Sequence, residues 1–287
     1  MRSVLPILTV LAAIVALWYA GAVWLNAQWS YDQAARAGVE VTFSGMLADT
    51  MAQERPVLPA PHQVAQGLWD GLFGQAVTSK RSLVYHAQVT LSATLVGFVI
   101  GTLAGILLAV GIVHNRAMDL SVMPWAIASQ TIPILAIAPM VIVVLASVGV
   151  TGLLPKAVIS AYLSFFPVVV GMVKGLRAPD HMQLDLLRTY GAGRWDTFWK
   201  LRLPASMHYL FASLKVSVAA SLVGAIVGEL PAGASAGLGA RLLSGSYYGQ
   251  TIQIWAALFA AAILAAGLVT IIGVIERGTL RRMGMVR

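Results

Sequence analysis

The chain has 287 residues, 59% of them hydrophobic and only 10% charged, with a mean hydropathy of +0.81. A soluble domain carries about 25% charged residues, so this chain cannot cover a folded body with polar surface and reads as an all-α polytopic membrane protein. Its net charge of +8 has to be judged by where the charges fall, and the absence of cysteine excludes disulfides, thiolate metal sites and cysteine nucleophiles.

The first apolar run, Val4–Leu25, follows Arg2 and ends among Trp18, Tyr19, Trp24 and Trp29. It exceeds the apolar core of a signal peptide, about 7–15 residues, and its aromatic end suits a membrane interface. It is therefore taken as a retained first transmembrane helix, residues 1–25, with cleavage near Ala20-Gly21-Ala22 as the alternative. Residues 26–84 form an external segment. In it, Arg55 to Pro61 is a stiff proline-rich stretch, and His62–Phe73 is an amphipathic helix with Val64, Leu68, Trp69 and Leu72 at helical spacing.

Five further runs are long enough to cross: Tyr85–Val113, Leu120–Val148, Lys156–Val173, Tyr209–Leu230 and Thr251–Ile275, making about six transmembrane helices. They define a core transmembrane domain, 85–287, that includes a polar loop at 174–208. The third span holds Pro124, Pro133 and Pro139 and is either one kinked helix or a helix followed by a re-entrant piece. Pro231–Gly249, rich in Gly, Ala and Ser, reads as a short docking or gating loop. With six spans, Arg2, Arg116, the 174–208 loop and the tail with Arg277, Arg281, Arg282 and Arg287 share one side, carrying 12 of the 19 Lys/Arg. The positive-inside rule places that side and both termini in the cytoplasm, so the charge needs no nucleic-acid partner.

Two small-residue stripes stand out. Gly97, Gly101 and Gly105 recur every fourth residue, as do Gly224 and Gly228. Such stripes let helix backbones approach closely, either within the chain or across a dimer seam. Polar groups within the spans are sparse. Gln130, Thr131, Ser164, Ser221 and Glu229 are candidates for a translocation pathway, and Gln130 and Glu229 alternatively for its outer gate. The five histidines are scattered without metal-ligand spacing.

The 174–208 loop contains LLRTYGAGRWDTFWKLRLP, Leu186 to Pro204. Two short helices are expected, Asp180–Tyr190 and Trp195–Leu203, with Gly191 and Gly193 allowing a sharp turn between them and Pro204 closing the unit. Trp195, Phe198 and Trp199 give the second helix an aromatic face. On amphipathicity alone the knuckle suits either the headgroup layer or a groove on a partner.

Its spacing is more specific. Asp185-Leu-Leu, three residues, Gly191, nine residues, then Leu201-x-Leu203-Pro204 resembles the EAA loop of binding-protein-dependent ABC importer permeases. Asp185 stands where that pattern has glutamate, Leu186 and Leu187 where it has alanines, and Leu201 where it has isoleucine. Leu58-Pro-Ala-Pro and the region around Glu229 resemble the nitrate/sulfonate/taurine-type branch, whose relatives also carry thiamine-precursor pyrimidines or riboflavin, so the solute does not follow.

The resemblance implies a type I ABC importer permease, paired with a second copy or a paralogue in a bacterial cytoplasmic membrane. It implies two ATPase subunits on the cytoplasmic loops and a periplasmic or lipoprotein substrate-binding protein outside. Asp185, Leu187, Arg188, Gly191, Ala192, Arg194, Trp195, Phe198 and Pro204 are then the ATPase-coupling residues. No Walker A loop is present, so ATP and Mg belong to the partner ATPase and this chain binds no cofactor. A secondary transporter driven by an ion gradient is the alternative.

Overall fold

A computed structural model describes residues 4–40, 42–231 and 234–285; Arg2 and Arg287, used in the charge argument, lie outside them. Twelve helices and no strand occur among the described residues. They are α1 (Val4–Ala37), α2 (Phe43–Ala52), α3 (Pro61–Leu72), α4 (Leu83–His114), α5 (Arg116–Ser129), α6 (Ile134–Ser147), α7 (Leu153–Leu176), α8 (His181–Thr189), α9 (Arg194–Thr197), α10 (Leu203–Gly228), α11 (Leu238–Tyr247) and α12 (Thr251–Arg282). Helices α1, α4, α7, α10 (with α9) and α12 are each long and apolar enough to cross a membrane. The pair α5–α6 makes a sixth span if its two halves count as one.

The proline-rich third run is two helices meeting at 100°. Pro133 stands at the break with an extended backbone, whereas Pro124 and Pro139 lie inside α5 and α6 without ending them. The side chain of Asn115 starts α5 by accepting from the amides of Ala117 (2.9 Å) and Met118 (3.4 Å).

The chain divides into two compact units. One comprises the described residues up to Ala87 together with Ala240–Ala261. In it α1 does not stop at Leu25 but continues to Ala37, beyond the apolar run. The polar residues of the extension are satisfied by the segment that folds back on it. Asn26 is fully buried, donates to Leu58 O (2.8 Å) and accepts from the amides of Val57 (2.7 Å) and Leu58 (3.3 Å). Gln53 donates to Ser30 Oγ (3.2 Å), which donates to Asp49. Trp18, read as an interfacial residue, stacks on Phe259, meets Trp255 at a tilt and donates to Pro59 O (3.0 Å). Trp24 is exposed.

The other unit comprises Gln88–Gly239 and the described residues from Ala262 on. Its packed centre is the α7–α10 pair, with Ala109 and Ile112 of α4 closing on Val168, Val169, Met172 and Val173 of α7. Both small-residue stripes face α7. A Cβ on Gly97 would overlap Ser160, and one on Gly101 would overlap Ser164 Oγ and sit 2.8 Å from Ala161 O. Gly105 would meet Phe165 O at 2.9 Å, Gly224 would meet Ser160 Cα at 2.7 Å, and Gly228 would meet Lys156 Cα at 3.1 Å. Real Cβ atoms do not approach backbone that closely, so these contacts exist only because the side chains are hydrogen atoms.

Candidate functional site

Two groups of residues in the second unit carry the chemistry, one at each end of α10. The first is the knuckle. Helix α8 ends in a Schellman turn: the Gly191 amide donates to Arg188 O and the Ala192 amide to Leu187 O, both at 2.9 Å. Gly191 has φ +72°, the left-handed region, while a Cβ there would meet nothing within 4 Å. Glycine is needed for its dihedral angle and not for room. Gly193 has φ −73° and needs neither.

After the turn the chain does not stop at Pro204. Helix α9 passes through one π turn, Phe198–Arg202, directly into α10, with Pro204 in its first turn. The Leu203 amide donates to Phe198 O, one residue further back than in an α-helix. A proline clashes with the carbonyl four residues before it, and the wider turn makes room for that carbonyl. Knuckle and span are therefore one helical rod from Arg194 to Gly228.

The knuckle's faces are distinct. Phe198 packs inward, against the α4–α7 core and edge-on to His114 at 5.5 Å. Trp195 and Trp199 stand out at 73% and 50% exposure, in contact with Phe198 and with each other. Arg202 donates to Leu176 O at the end of α7 (3.2 Å). Asp185 pairs with Arg188 on the surface at 3.1 Å, and Arg188, Ala192 and Arg194 line a 360 Å³ hollow beside the end of α4. Arg177 is tied to Asp119 at 2.8 Å.

At the other end, Glu229 caps α10 and is wholly buried. Its carboxyl group accepts from Thr90 Oγ1 (2.9 Å) and from the Gly239 amide (2.9 Å), with Lys156 Nζ at 3.9 Å. Thr90 Oγ1 in turn accepts from the Leu238 amide (2.8 Å), and Lys156 donates to Ala236 O (3.1 Å). The loop thus lies directly on the carboxyl. Gly237, at φ +124°, allows this, since a side chain there would occupy the carboxyl's own position.

The other candidate pathway residues separate. Gln130 and Thr131 are exposed at the α5–α6 bend. Ser164 and Ser221 are fully buried between helices. Ser221 shares a 2.6 Å hydrogen bond with Ser160 and reaches Thr94 O at 2.8 Å, and Ser217 donates to Ser164 O at 2.6 Å. Ser164 donates to Gly97 O and Ala161 O. These hydroxyls bind helix backbones beside the glycine contacts.

Thr90, Lys156, Gly237 and Gly239 did not stand out in the sequence, because their common partner, Glu229, lies up to 139 residues away. Lys215 of α10 pairs with Glu276 of α12.

The described residues thus form a multi-pass helical protein with a glycine-capped, tryptophan-bearing knuckle continuous with one of its spans. Residues 101–284 match the model of the family described as binding-protein-dependent transport system inner membrane component, and the chain belongs to that family of ABC transporter permeases. It is similar to the riboflavin transport system permease protein of Chloroflexus aurantiacus, with 30% identity over 77% of this chain and 78% of that one. It is also similar to the formylaminopyrimidine transport permease protein of Halalkalibacterium halodurans (29%; 64% and 68%). A putative aliphatic sulfonates transport permease protein of Bacillus subtilis matches at 23% (68% and 69%).

Proposed function

We propose that this chain forms the translocation pathway of an ATP-driven importer in a bacterial cytoplasmic membrane, working as a pair with a second copy or a paralogue. ATPase subunits grip the exposed face of the knuckle from the cytoplasm, and a substrate-binding protein delivers a small solute outside. ATP and Mg are bound by the partner, not by this chain. The observation that carries the reading is the unbroken rod. Trp195 and Trp199, exposed and available to a partner, stand on the same helix whose far end is capped by buried Glu229. From Leu203 to Gly228 that helix spans about 39 Å, the depth of a bilayer with its interfaces.

Closure of the ATPases displaces the knuckle, and the displacement reaches the loop held by Glu229. Glu229 and Thr90 act at the outer gate. Ser164 and Ser221 hold the rod to its neighbours, and Gln130 and Thr131 at the α5–α6 bend border the pathway. A partner shifts such an element only by binding its two states unequally.

The test is reconstitution. The chain, its genomically neighbouring ATPase and the cognate binding protein are placed in liposomes, and uptake is followed with ATP inside. Uptake that requires ATP and the binding protein is the expected result. Uptake by the chain alone, driven by a proton or sodium gradient, would overturn it in favour of a secondary transporter.

A further inference from the structure

The unit that contains α1–α3 carries a cavity of about 660 Å³ that the transport reading does not use. Part of its lining is apolar, from Leu83 at the start of α4 and Ile252 in the first turn of α12. Both helices are membrane-crossing candidates, so these two residues stand at the ends of candidate spans. Amphipathic α3 forms part of the wall, and just outside it Trp69 and Phe73 are exposed with ring centroids 4.6 Å apart. Exposed aromatics on an amphipathic helix mark the headgroup layer.

The rest of the lining includes charges of both signs. Arg55, Arg81 and Arg241 line the cavity together with Glu54 and Asp70. Among the described residues none of these five forms an ion pair with another. Arg241 is the anchor. Its Nε has no exposed surface and no acceptor among the described residues, and burial pulls its guanidinium below the usual arginine pKa. The terminal guanidinium nitrogens are not shut off in this way and donate to no acceptor among the described residues, so an oxygen acceptor entering the cavity can satisfy them. A simple anion would satisfy the arginines but be repelled by the two carboxylates. A phosphodiester that also carries a primary ammonium satisfies both signs, with its glycerol end over Leu83 and Ile252. Arginine is suited to phosphate because its fork offers paired donors.

We infer that this cavity binds a phosphoethanolamine group, its phosphate on Arg241, Arg55 and Arg81 and its ammonium toward Glu54 and Asp70. The group comes either from a phospholipid headgroup or from a soluble glycerophosphoester. The inference concerns the chain alone and does not rest on its partners.

The full chain, purified in detergent and stripped of lipid, is titrated with dihexanoyl phosphatidylethanolamine, dihexanoyl phosphatidylcholine, dihexanoyl phosphatidylglycerol and glycerophosphoethanolamine. Binding is read by native mass spectrometry and by thermal shift of tryptophan fluorescence. Phosphatidylethanolamine should bind best of the three lipids, and Arg241→Gln should weaken it at least about tenfold, the loss of one charge-assisted contact. Should that variant misfold, Arg81→Gln, at an exposed position, should weaken it in the same direction. Glu54→Gln combined with Asp70→Asn should erase the preference over phosphatidylglycerol, and Arg277→Gln, remote from the cavity, should change nothing. Lipid binding tighter than the glycerophosphoester assigns the site to the bilayer, and equal binding assigns it to a soluble ligand. Equal affinity for all three lipids, or affinity unchanged in both arginine variants, overturns the inference.

Discussion

Removing the Glu229 carboxyl should release the loop at residues 236–239 far more than it loosens the rest of the molecule. In Glu229→Ala the Gly239 amide and the Thr90 hydroxyl lose the carboxyl they donate to, and Lys156 loses its carboxyl neighbour while keeping Ala236 O. Loss of a buried, hydrogen-bonded carboxylate beside a lysine costs about 3–5 kcal/mol. Glu229→Gln keeps the shape and one acceptor and should cost about 1–2 kcal/mol. Thr90→Val removes the hydroxyl that links Leu238 to Glu229 and should fall between the two. Because these bonds hold residues 236–239, most of the loss falls on local opening of that segment. The chain has no cysteine, so Ala236→Cys, at a buried position, is a unique reporter for a membrane-impermeant maleimide. A local loss of about 3 kcal/mol corresponds to a labelling rate roughly 100-fold faster in Glu229→Ala. Labelling within threefold of the parent would show that the carboxyl does not hold the loop.

Other consequences can be checked in the same preparations. Gly101→Ala should lower thermal stability by about 1–3 kcal/mol, because the added methyl overlaps Ser164 at the α4–α7 contact. Gly101→Leu should abolish monodisperse assembly, and a normal yield of folded Gly101→Leu would refute the packing. Gly191→Val forces a β-branched residue into the left-handed region and should cut ATPase stimulation by loaded binding protein, whereas Gly191→Asn should retain most of it; equal stimulation in both would remove the role of the turn. Asn26→Ala strips one side chain from three hydrogen bonds to the 57–58 backbone. It should cost about 2–4 kcal/mol locally and expose exposed Arg55 to faster tryptic cleavage, a change visible by mass spectrometry.

The spans were legible because a bilayer demands long apolar runs, and a hydropathy argument needs no knowledge of partners. Where polar residues sit in helices, the same argument stops short. The extension of α1 to Ala37 looked like an external loop, since Asn26, Ser30 and Asp32 are not span residues. Its helix is held by groups from Asp49, Gln53 and Val57–Leu58 that only folding brings near. The turn at Gly191 was readable from the glycine, but continuity through Pro204 was not. A proline after a polar loop normally marks a boundary, and the π turn that accommodates it leaves no residue signature. Ser164 and Ser221 could be singled out as polar, but their partners, Gly97 and Thr94, lie 67 and 127 residues away. Sequence spacing along one helix cannot report such pairs.

The arrangement also bears on how movement at the knuckle would be carried. Helix α10 is closely packed on α7 along its length: Gly175 against Ser206, Gly171 against Ser213, and Gly224 against Ser160. Ser160 and Ser217 add hydroxyl bonds between the two helices, and Lys215 pairs with Glu276 of α12. Close-packed contacts without voids do not absorb displacement by gradual repacking, so α7 and α10 should move together. The irregular points on the rod are the π turn at Phe198–Arg202, where the hydrogen-bond register slips between knuckle and span, and the cap at Glu229, where the helix hands over to a glycine-rich loop. In the importer reading the first is the joint and the second the catch. A push on Trp195 and Trp199 that does not bend the joint can be relieved only by shifting the α7–α10 pair, and the shift strains the bonds between Glu229, Thr90 and Gly239. Loss of the joint and loss of the catch should therefore have opposite effects on the loop: the first insulates it from the ATPases, the second opens it without them.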